Sequence, residues 1–422
     1  MRSIEVVVIG GGASGMAAAI EAAKAGKRVM ILEKMNRLGK KILATGNGRC
    51  NFTNARQEPA CYHGTEPERA YAAVKSFGFL ETLEWFQELG VLSAEKDGYF
   101  YPASFQAAAV LHALERELKR LSVEVHLEEP VFEISEKNRN QQGKAEGVLI
   151  RTEKDSYLAK KIILSTGGLA SPVHGSTGDG YRFLEGFGHS IIPVLPALTS
   201  LKLEEKYTKE WAGTRLQGAV TLRIEGEKEN VTESGELQMT AYGVSGIPVF
   251  QVSGFAARAL SEKRKVRILI DSFPMLSGEE VYLELLRRKK HNMGQSAGDL
   301  LEGMLPDKYA KVLLSVCSFS GKTPVKELAE QALRKIAEHI KCFSGTVREV
   351  SDFEKAQTSS GGIPLTEIDL KTFESLKKKH LYLCGELLDV DGICGGYNLQ
   401  WAWTSGITAG RAIGSGERTD GQ

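Results

Sequence analysis

The sequence predicts an α/β fold in which the two ends of the chain build one parallel sheet and a long insertion lies between them. Two observations predict the sheet: a β-branched run at residues 4–9 followed by a glycine-rich turn, and glycine clusters that return near residues 165–180 and 385–396. A third predicts the insertion, because the glycine clusters stop between about residues 191 and 348. The length of 422 residues allows two or three domains.

The first predicted element is a βαβ unit. Residues 4–9, IEVVVI, form a run of β-branched residues around Glu5, which indicates a strand buried on both faces of a parallel sheet. Residues 13–25 follow a helical pattern that Gly26 ends, and residues 28–33 supply a second strand. Because such crossovers are right-handed, the loop after the first strand lies at the N-terminus of the helix.

That loop has glycines in the spacing G-x-G-x-x-G, at Gly10, Gly12 and Gly15. The first makes the turn, the second lets the backbone approach a pyrophosphate, and the third lets helix and strand pack closely. The helix N-terminus attracts the pyrophosphate, and Glu33, at the tip of the second strand, accepts ribose hydroxyls. This Rossmann-like pattern predicts FAD or NAD rather than NADP. The site is also predicted to include Ala13, Ser14 and Lys34.

Residues 39–54, GKKILATGNGRCNFTN, are predicted to form an extended loop beside the nucleotide, since they are rich in glycine and small polar residues. Flavoprotein disulfide reductases have two cysteines four residues apart in this region. Cys50 stands alone here, which excludes that chemistry, and we interpret it as a packing residue. The predicted cofactor contacts in this loop are Lys41, Gly48, Arg49, Cys50 and Asn51.

The next segments favour an FAD fold over a dehydrogenase that binds only NAD. A strand at residues 160–164 is followed by Thr166-Gly167-Gly168 and then by a helix predicted to begin near residue 175 and to reach Gly188. Short alternating segments predict a β-meander before it rather than further βαβ units, at residues 123–126, 130–134, 147–152 and 157–164. The predicted cofactor contacts here are Val131, Thr166 and Gly167.

The C-terminal segment decides in favour of FAD. Residues 381–384 predict a strand, and Gly395-Gly396 precede a helix that begins at Tyr397 and runs to about residue 413. Aimed at an isoalloxazine ring, this helix N-terminus would stabilise the negative charge at the N1–C2=O edge of a reduced flavin. The predicted cofactor contacts here are Gly385, Glu386, Asp389, Gly396, Tyr397, Asn398 and Leu399.

The insertion shows short alternating strands followed by helical stretches. The strands are predicted at residues 198–203, 218–225 and 236–240, and the helices at 249–261, 278–290, 308–316 and 324–341. This pattern indicates a small β-barrel or sheet with a helical subdomain. The predicted domains are 1–190 with 349–422 for the FAD domain, 191–270 with 342–348 for the β-rich part, and 271–341 for the helical part.

Four segments together resemble the BaiN-type family of bacterial FAD-binding proteins, whose members are also described as aminoacetone oxidases. They are VVVIGGGASGMAAAI, GKKILATGNGRCNFTN, LSTGGLASPVHGSTGDG and CGELLDVDGICGGYNLQWAWTSGITAG. The resemblance implies a two-dinucleotide-type FAD domain interrupted by an insertion. It also implies an oxidoreductase, with activities that include reduction of steroid-ring double bonds in bile-acid metabolism and amine oxidation. Ala241 stands where many members have a histidine, so no role of that histidine transfers.

Three functions remain open at this point. The first is an FAD-dependent oxidoreductase that moves a hydride to or from a small or steroid-like substrate, for example by NAD(P)H-driven reduction of a ring C=C bond conjugated to a ketone. The others are an amine oxidase that uses O2 and a flavin-binding redox accessory or sensor without steady turnover. Because the sequence has no second G-x-G-x-x-G, no dedicated NAD(P)H domain is expected, and NAD(P)H would act as a transient reductant at the flavin. Weak candidates for a catalytic proton donor are Tyr101, His174, Tyr242 and Tyr397.

The balance of charged residues and the pattern of cysteines limit the kinds of binding partner that the sequence predicts. The chain has 54 Lys and Arg against 53 Asp and Glu, which argues against nucleic acid as a partner and favours a small-molecule substrate. No export signal or membrane-length apolar stretch is present in the sequence, so we expect a cytoplasmic protein. The six cysteines form no C-x-x-C pair, and no metal site is predicted. The oligomeric state is left open.

Overall fold

The computed structural model describes residues 1–136, 147–291 and 293–415. This part of the chain forms two compact units, one of Met1–Leu195 with the C-terminal segment from Thr358 and one of Pro196–Gln357. Each unit has a hydrophobic core of its own. The predicted domain boundaries at residues 190 and 349, and the division of the insertion at residue 271, stay predictions.

The N-terminal part of the first unit alternates strands and helices. Its elements are β1 Arg2–Ile9, α1 Ala13–Lys24, β2 Val29–Leu32, α2 Lys40–Ala44, β3 Thr53–Asn54, β4 Tyr62–His63, α3 Pro67–Val74, α4 Phe79–Glu88, β5 Ser93–Lys96, β6 Tyr99–Pro102, α5 Ala107–Arg120, β7 Glu124–His126, β8 Val131–Glu136, β9 Val148–Thr152, β10 Ser156–Leu164, α6 Asp179–Gly186 and β11 Ile192–Ala197.

The second unit begins with strands and ends in helices and a final strand. Its elements are β12 Leu201–Leu203, α7 Thr208–Trp211, β13 Arg215–Ile224, β14 Val231–Thr240, β15 Gly243–Ser245, α8 Ile247–Ser261, β16 Val266–Asp271, α9 Gly278–His291, α10 Ala297–Leu301, α11 Asp307–Val316, α12 Glu330–Lys341 and β17 Phe343–Val350.

The chain then completes the first unit with short strands and one long helix. These are β18 Thr358–Gly362, β19 Ile368–Asp369, β20 Glu374–Ser375, β21 Leu381–Leu383, β22 Asp391–Gly392 and α13 Tyr397–Ser415.

The first unit is built on a nine-stranded sheet whose centre is parallel. Strand β1 pairs in parallel with β10 and β2, and β10 pairs in parallel with β21, so the carboxyl ends of strands from both ends of the chain share one edge. The second half of β1, residues 6–9, is a continuous apolar run, as expected for a strand buried on both faces. In open α/β sheets, ligands bind outside the carboxyl ends of the strands.

One prediction about this sheet is wrong. The sequence places residues 123–126 in an antiparallel meander, but β7 pairs in parallel with β2, with Val125 opposite Ile31, after a crossover through α5. β7 is the edge strand of the sheet, and its Val125 is 37% exposed. An edge strand of this kind has the same alternating polar and apolar residues as a half-buried meander strand, which explains the wrong prediction. The meander consists of β8, β9 and β10, which pair antiparallel.

Helix α13 lies against α1 through small residues. Gly406 and Gly410 are four residues apart on α13, and a Cβ atom on them would lie 2.3 Å from the Ser14 carbonyl oxygen and 2.4 Å from the Ala18 carbonyl oxygen, respectively. Real Cβ atoms do not approach backbone so closely, so glycine is required at both positions. This close packing fixes the last helix of the chain on the first one.

The second unit contains a closed barrel of six strands in the order β12-β15-β14-β13-β16-β17. The sequence analysis leaves open whether this is a barrel or a sheet, and it misses the elements α7, β15, β16, β17 and α10. β16 follows residues 262–265, EKRK, and only one residue separates β17 from the end of α12, so the start of neither strand is marked by the turn residues that reveal a strand. The helices α9–α12 pack in the same core, where Trp211 stacks on Tyr309 with ring centroids 5.9 Å apart.

Candidate cofactor site

The three motif glycines lie between β1 and α1 and differ in their surroundings. Gly10 has a φ of +102°, and a Cβ there would lie 2.5 Å from the Ser165 carbonyl oxygen. A Cβ at Gly15 would lie 2.0 Å from the Gly10 carbonyl oxygen. Gly12 has a φ of −80°, and a Cβ there would meet no atom of the described residues within 4 Å. Packing therefore requires glycine at positions 10 and 15, whereas at position 12 the space is open.

Helix α1 begins at this open space without a capping side chain. Its N-cap residue is Gly12, no side chain accepts from its first N–H groups, and its first turn has no acidic residue. The first N–H groups of a helix lack partners within the helix, so an anion can accept their hydrogen bonds and is also stabilised by the helix dipole.

Glu33 follows β2 and is buried beside the glycine turn. Its Oε2 accepts a hydrogen bond from the Gly11 N–H at 2.7 Å, and its Oε1 accepts from the Met35 N–H at 2.8 Å. The carboxylate therefore holds the turn after β1 against the loop after β2. Lys34, the next residue, donates to Thr177 and, at 2.6 Å, to Asp179 at the start of α6.

Residues 39–54 are not the extended loop that the sequence predicts. Gly39, with a φ of +61°, leads into helix α2, a 3-10 turn covers Thr45–Gly48, and β3 follows. The run Lys40–Ala44 has good helix formers, which the surrounding glycines obscure. Cys50 is fully buried, and burial raises the pKa of its thiol to about 12, so it stays protonated. Gly48 and Arg49 are exposed.

Lys41 and Glu386, which are predicted as separate contacts, form one ion pair. Lys41 Nζ lies 2.6 Å from Glu386 Oε2 and also donates to the Ala170 carbonyl oxygen at 3.1 Å. The other carboxylate oxygen of Glu386 accepts from the Ser359 N–H at 2.9 Å. Because the lysine balances its charge, Glu386 can lie near a pyrophosphate or ribitol without uncompensated repulsion.

Buried polar atoms without a protein partner lie among the predicted site residues. Within the described part of the chain they include Asn51 Oδ1, Thr166 Oγ1, His174 Nδ1 and Asp389 Oδ1. A Cβ on Gly396 would lie 2.8 Å from Asn51 Oδ1. Leaving such an atom buried and unpaired costs about 1–3 kcal/mol, so a polar ligand at this edge would stabilise the protein.

The start of α13 is held by its own side chains. Asn398 Oδ1 accepts from the Gly392 N–H at 2.9 Å and its Nδ2 donates to the Gly392 carbonyl oxygen at 2.7 Å. Tyr397 is 3% exposed and packs edge-on against Tyr62. Leu399 is half-buried against the core, and Gly385 lies against Ser14, where a Cβ would meet Ser14 Oγ at 2.6 Å.

The four candidate proton donors are divided between the two units. Tyr242 lies in the second unit, where its hydroxyl is 3.3 Å from Ser200 Oγ. The other three lie in the first unit. Burial raises the pKa of Tyr101 and of Tyr397, while burial and the nearby Lys40 and Lys41 lower the pKa of His174.

Sequence reasoning missed several side chains that shape the site. Ser165 Oγ donates towards the carbonyl oxygens of Ile9 and Gly10, at 3.0 and 2.8 Å, and so holds the glycine turn. Ser359 Oγ accepts from the N–H groups of Leu169 and Ala170, at 2.9 and 3.0 Å. The cluster TSSGG at Thr358–Gly362 was the available signal for Ser359. Val131 lies on β8 opposite Thr152, where its side chain packs against the core, and its contact with the cofactor stays a prediction.

No helix in the described residues is long and apolar enough to cross a membrane. Over the same residues, no group of three or more His, Cys, Asp or Glu side chains is placed to hold a metal ion. The cytoplasmic location stays a prediction.

Comparison with known proteins identifies the family. A model of the HI0933-like protein Rossmann domain matches residues 4–412. The chain belongs to the HI0933-like family. The Rossmann-like FAD-binding fold and the resemblance to BaiN-type proteins are thereby confirmed.

Two relatives of this HI0933-like protein align along nearly their whole length. It is 40% identical over 407 residues to the 3-dehydro-bile acid delta(4,6)-reductase of Clostridium scindens, covering 96% of this chain and 98% of the relative. It is 27% identical over 411 residues to the ribosomal RNA dihydrouridine synthase of Haemophilus influenzae, covering 97% and 98%. The expectation that nucleic acid is not a partner therefore stays a prediction.

A solved structure of a 3-ketosteroid-delta4-(5alpha)-dehydrogenase from Rhodococcus jostii aligns over 98% of this HI0933-like chain and 97% of the other, with 13% identity and a TM-score of 0.48. At this identity and TM-score, the match says nothing about activity.

Proposed function

We propose that the protein is an FAD-dependent oxidoreductase that reduces a ring C=C bond conjugated to a ketone in a steroid-like substrate, with NAD(P)H as the source of electrons. The observation that supports it most strongly is the 40% identity to a bile-acid reductase along 96% of the chain. The described residues add a site of matching chemistry at the carboxyl edge of the sheet.

The residues fit FAD. The open space over Gly12 and the uncapped N-terminus of α1 suit the pyrophosphate, and Glu33 beside them suits the adenosine ribose. Asn51 Oδ1 and Thr166 Oγ1, both without protein partners, suit polar groups of the bound molecule. The N-terminus of α13 after Gly396 suits the pyrimidine edge of the ring.

The bound flavin supplies hydride transfer. The chain supplies the remaining functions: the N–H groups of α1 bind phosphate, the Lys41–Glu386 pair holds the loops on either side, and the dipole of α13 stabilises negative charge at its N-terminus. The buried Cys50 takes no part in redox chemistry because its thiol is protonated at neutral pH.

The name of the Haemophilus influenzae relative also describes reduction of a conjugated C=C bond. Dihydrouridine is uridine whose ring C=C bond, conjugated to a carbonyl, has been reduced, so the names of both relatives describe reduction of such a bond. Uridine in RNA is therefore the second candidate substrate. The higher identity favours the steroid, and neither name supports the amine oxidase or the accessory without turnover.

An anaerobic absorbance experiment tests the proposal. The purified protein is expected to be yellow, to lose its 450 nm band on addition of NADPH or NADH, and to regain it with a bile acid that contains a 3-oxo-4,6-diene. The ring-saturated 3-oxo bile acid is the matched control and should leave the protein bleached.

Other arms distinguish the alternatives. A ribosomal RNA transcript that restores the colour while the steroid does not would favour the uridine reaction. Reduction by aminoacetone with release of H2O2 in air would favour the amine oxidase. A colourless protein, or a bleached protein that none of these compounds reoxidises, would overturn the proposal.

A further inference from the structure

The segment at residues 63–65 is bound to the loop before α13 at three successive positions. His63 on β4 lies opposite Asp391 on β22, with its Nδ1 3.5 Å from Asp391 Oδ2. Gly64 approaches the backbone so closely that a Cβ would lie 2.3 Å from the Asp389 carbonyl oxygen. Thr65 donates from its N–H and its hydroxyl to Asp389 Oδ2, at 2.8 and 2.7 Å. The position of His63 is therefore fixed by its neighbours.

Both aspartates are buried, with Asp389 1% and Asp391 2% exposed. Each keeps one oxygen, Oδ1, without a protein hydrogen-bond partner in the described part of the chain. Buried carboxylate oxygens are nearly always hydrogen-bonded, so these two atoms point to a bound molecule or water. The side chain of His63, in contrast, is 27% exposed. The pair thus joins a buried carboxylate to a partly exposed imidazole.

This pair lies next to the first turn of α13. Gly392 adjoins Asp391 and is bound at both its N–H and its carbonyl oxygen by the side chain of Asn398. A Cβ on Gly392 would lie 2.5 Å from the Cβ of Tyr397, the first residue of the helix. The turn to which the proposed function assigns the isoalloxazine ring is therefore in direct contact with the segment of Asp391.

We propose that His63 donates the proton that completes reduction of the conjugated C=C bond, and that Asp391 is a positioning residue that orients the imidazole; this rests on the proposed function. The β-carbon of the substrate receives a hydride from the flavin that NAD(P)H has reduced. The C=C π bond breaks, and its electron pair forms a new bond between the α-carbon and the proton from His63. The imidazolium becomes neutral imidazole and regains a proton from solvent.

The chemistry of the pair suits this role. An imidazolium can donate a proton as a general acid and regain one from solvent. The Asp391 carboxylate, 3.5 Å from Nδ1, favours one orientation of the imidazole ring. The nearby Tyr62 and Tyr397 are poor alternatives, because burial raises the pKa of both phenols well above the usual value.

The test compares the flavin-loaded wild type with His63→Asn, Asp391→Asn and the control His112→Asn, which makes the same change on an exposed helix position. Asparagine at position 63 can still donate to Asp391 but cannot act as an acid. Each protein is first reduced by dithionite without oxygen and then mixed with the 3-oxo-4,6-diene bile acid. Flavin content, far-UV circular dichroism and the rate of reduction by NADPH check that each variant is folded and loaded.

We expect His63→Asn to slow reoxidation by the steroid about 100-fold or more, the range over which general acids act, while NADPH reduces its flavin at the wild-type rate. The solvent deuterium isotope effect on reoxidation should also change in this variant. In ¹⁵N spectra of histidine-labelled protein, Asp391→Asn should shift the ring signals of His63 and leave those of His112 in place. His112→Asn should match the wild type in every measurement.

Two failures are distinguishable. If the wild type reoxidises with the steroid and His63→Asn does so at the same rate and isotope effect, the proton-donor role is overturned and the proposed function stands. If the reduced wild type is inert towards the steroid, the proposed function fails and the inference fails with it. Histidine ring signals that ignore Asp391→Asn would overturn the positioning role of Asp391 by themselves.

Discussion

At the scale of single residues, the three motif glycines separate a requirement of the fold from a requirement of the ligand. Gly10 and Gly15 lie where a side chain would overlap backbone atoms. Gly12 lies where a side chain would meet only open space, in a backbone conformation open to any residue. Substitutions at positions 12 and 15 should therefore fail in different ways.

We expect Gly12→Val to fold normally but to purify without flavin, because the new side chain fills the space proposed for the pyrophosphate. Gly15→Ala should instead lower the melting temperature of the apoprotein, since its Cβ would press on the Gly10 carbonyl oxygen. The ratio of 450 nm to 280 nm absorbance and the unfolding of the apoproteins check both. A Gly12→Val protein with full flavin would show that the cofactor lies elsewhere.

His189 and Glu367 form a second residue-level feature, away from the glycine turn. His189 is buried, with Nδ1 2.7 Å from Glu367 Oε2 and Nε2 2.7 Å from Ser375 Oγ. Burial lowers the pKa of His189, and this effect exceeds the opposite effect of Glu367, whose negative charge and hydrogen bond raise the pKa. A histidine whose pKa is lowered by folding resists protonation in the native state, so stability falls as the pH drops through the ordinary histidine range.

We therefore expect the melting temperature of the wild type to fall between pH 7.5 and pH 5.5. His189→Gln should melt lower at pH 7.5, by an amount that corresponds to about 1–3 kcal/mol for a broken buried hydrogen-bond network, and should show a weaker dependence on pH. Thermal unfolding over this range checks the prediction. A pH dependence as steep as that of the wild type would exclude His189 as its source.

Sequence reasoning found backbone features of the site better than its side-chain contacts. The glycine spacing and Glu33 follow from short-range patterns, so they could be predicted. Lys41 and Glu386 are 345 residues apart, and no local pattern connects them. The same holds for Asp391, which the sequence places in a loop without indicating that His63 lies opposite.

At the scale of secondary-structure elements, long and strongly periodic segments were predicted closely, and short ones were not. The predictions for β1, α1, α9 and α13 agree with the structure to within a few residues. Helix α2 spans only Lys40–Ala44 and is surrounded by glycine, so its helical pattern is too short to recognise. The sequence analysis assigned β7 to the meander because the residues of a short strand do not indicate whether it pairs in parallel or antiparallel.

The contact between α1 and α13 gives a prediction at this scale. Gly410→Ala should destabilise the protein by about 1–3 kcal/mol, because its Cβ would overlap the Ala18 carbonyl oxygen and force the helices apart. Gly186→Ala on α6 is the matched control: no atom lies within 4 Å of its Cβ, and we expect a gain of about 0.4–1 kcal/mol. Urea unfolding compares the two. Equal effects of both variants would mean that close packing does not explain Gly410.

At the scale of the whole molecule, the described chain has two hydrophobic cores, one in each compact unit. All residues predicted to bind the cofactor lie in the first unit. A ligand stabilises only the structure to which it binds. Bound flavin should therefore stabilise the first unit against unfolding and leave the stability of the second unit unchanged.

We expect calorimetry of the apoprotein to resolve two unfolding transitions, of which added FAD raises only one. At 100 times the dissociation constant, the stabilisation of the first unit is about 2.7 kcal/mol. Gly12→Val should abolish the shift and leave the other transition in place. A single transition that moves as a whole with FAD would show that the two cores unfold together.

The strands at the two ends of the barrel segment are hydrogen-bonded neighbours. β12 begins the segment and β17 ends it, and Leu201 pairs with Val350 in antiparallel register. The barrel segment therefore begins and ends at the same place. A segment whose two ends lie side by side can be replaced or remodelled in evolution without a change in the glycine turn that is proposed to bind the nucleotide.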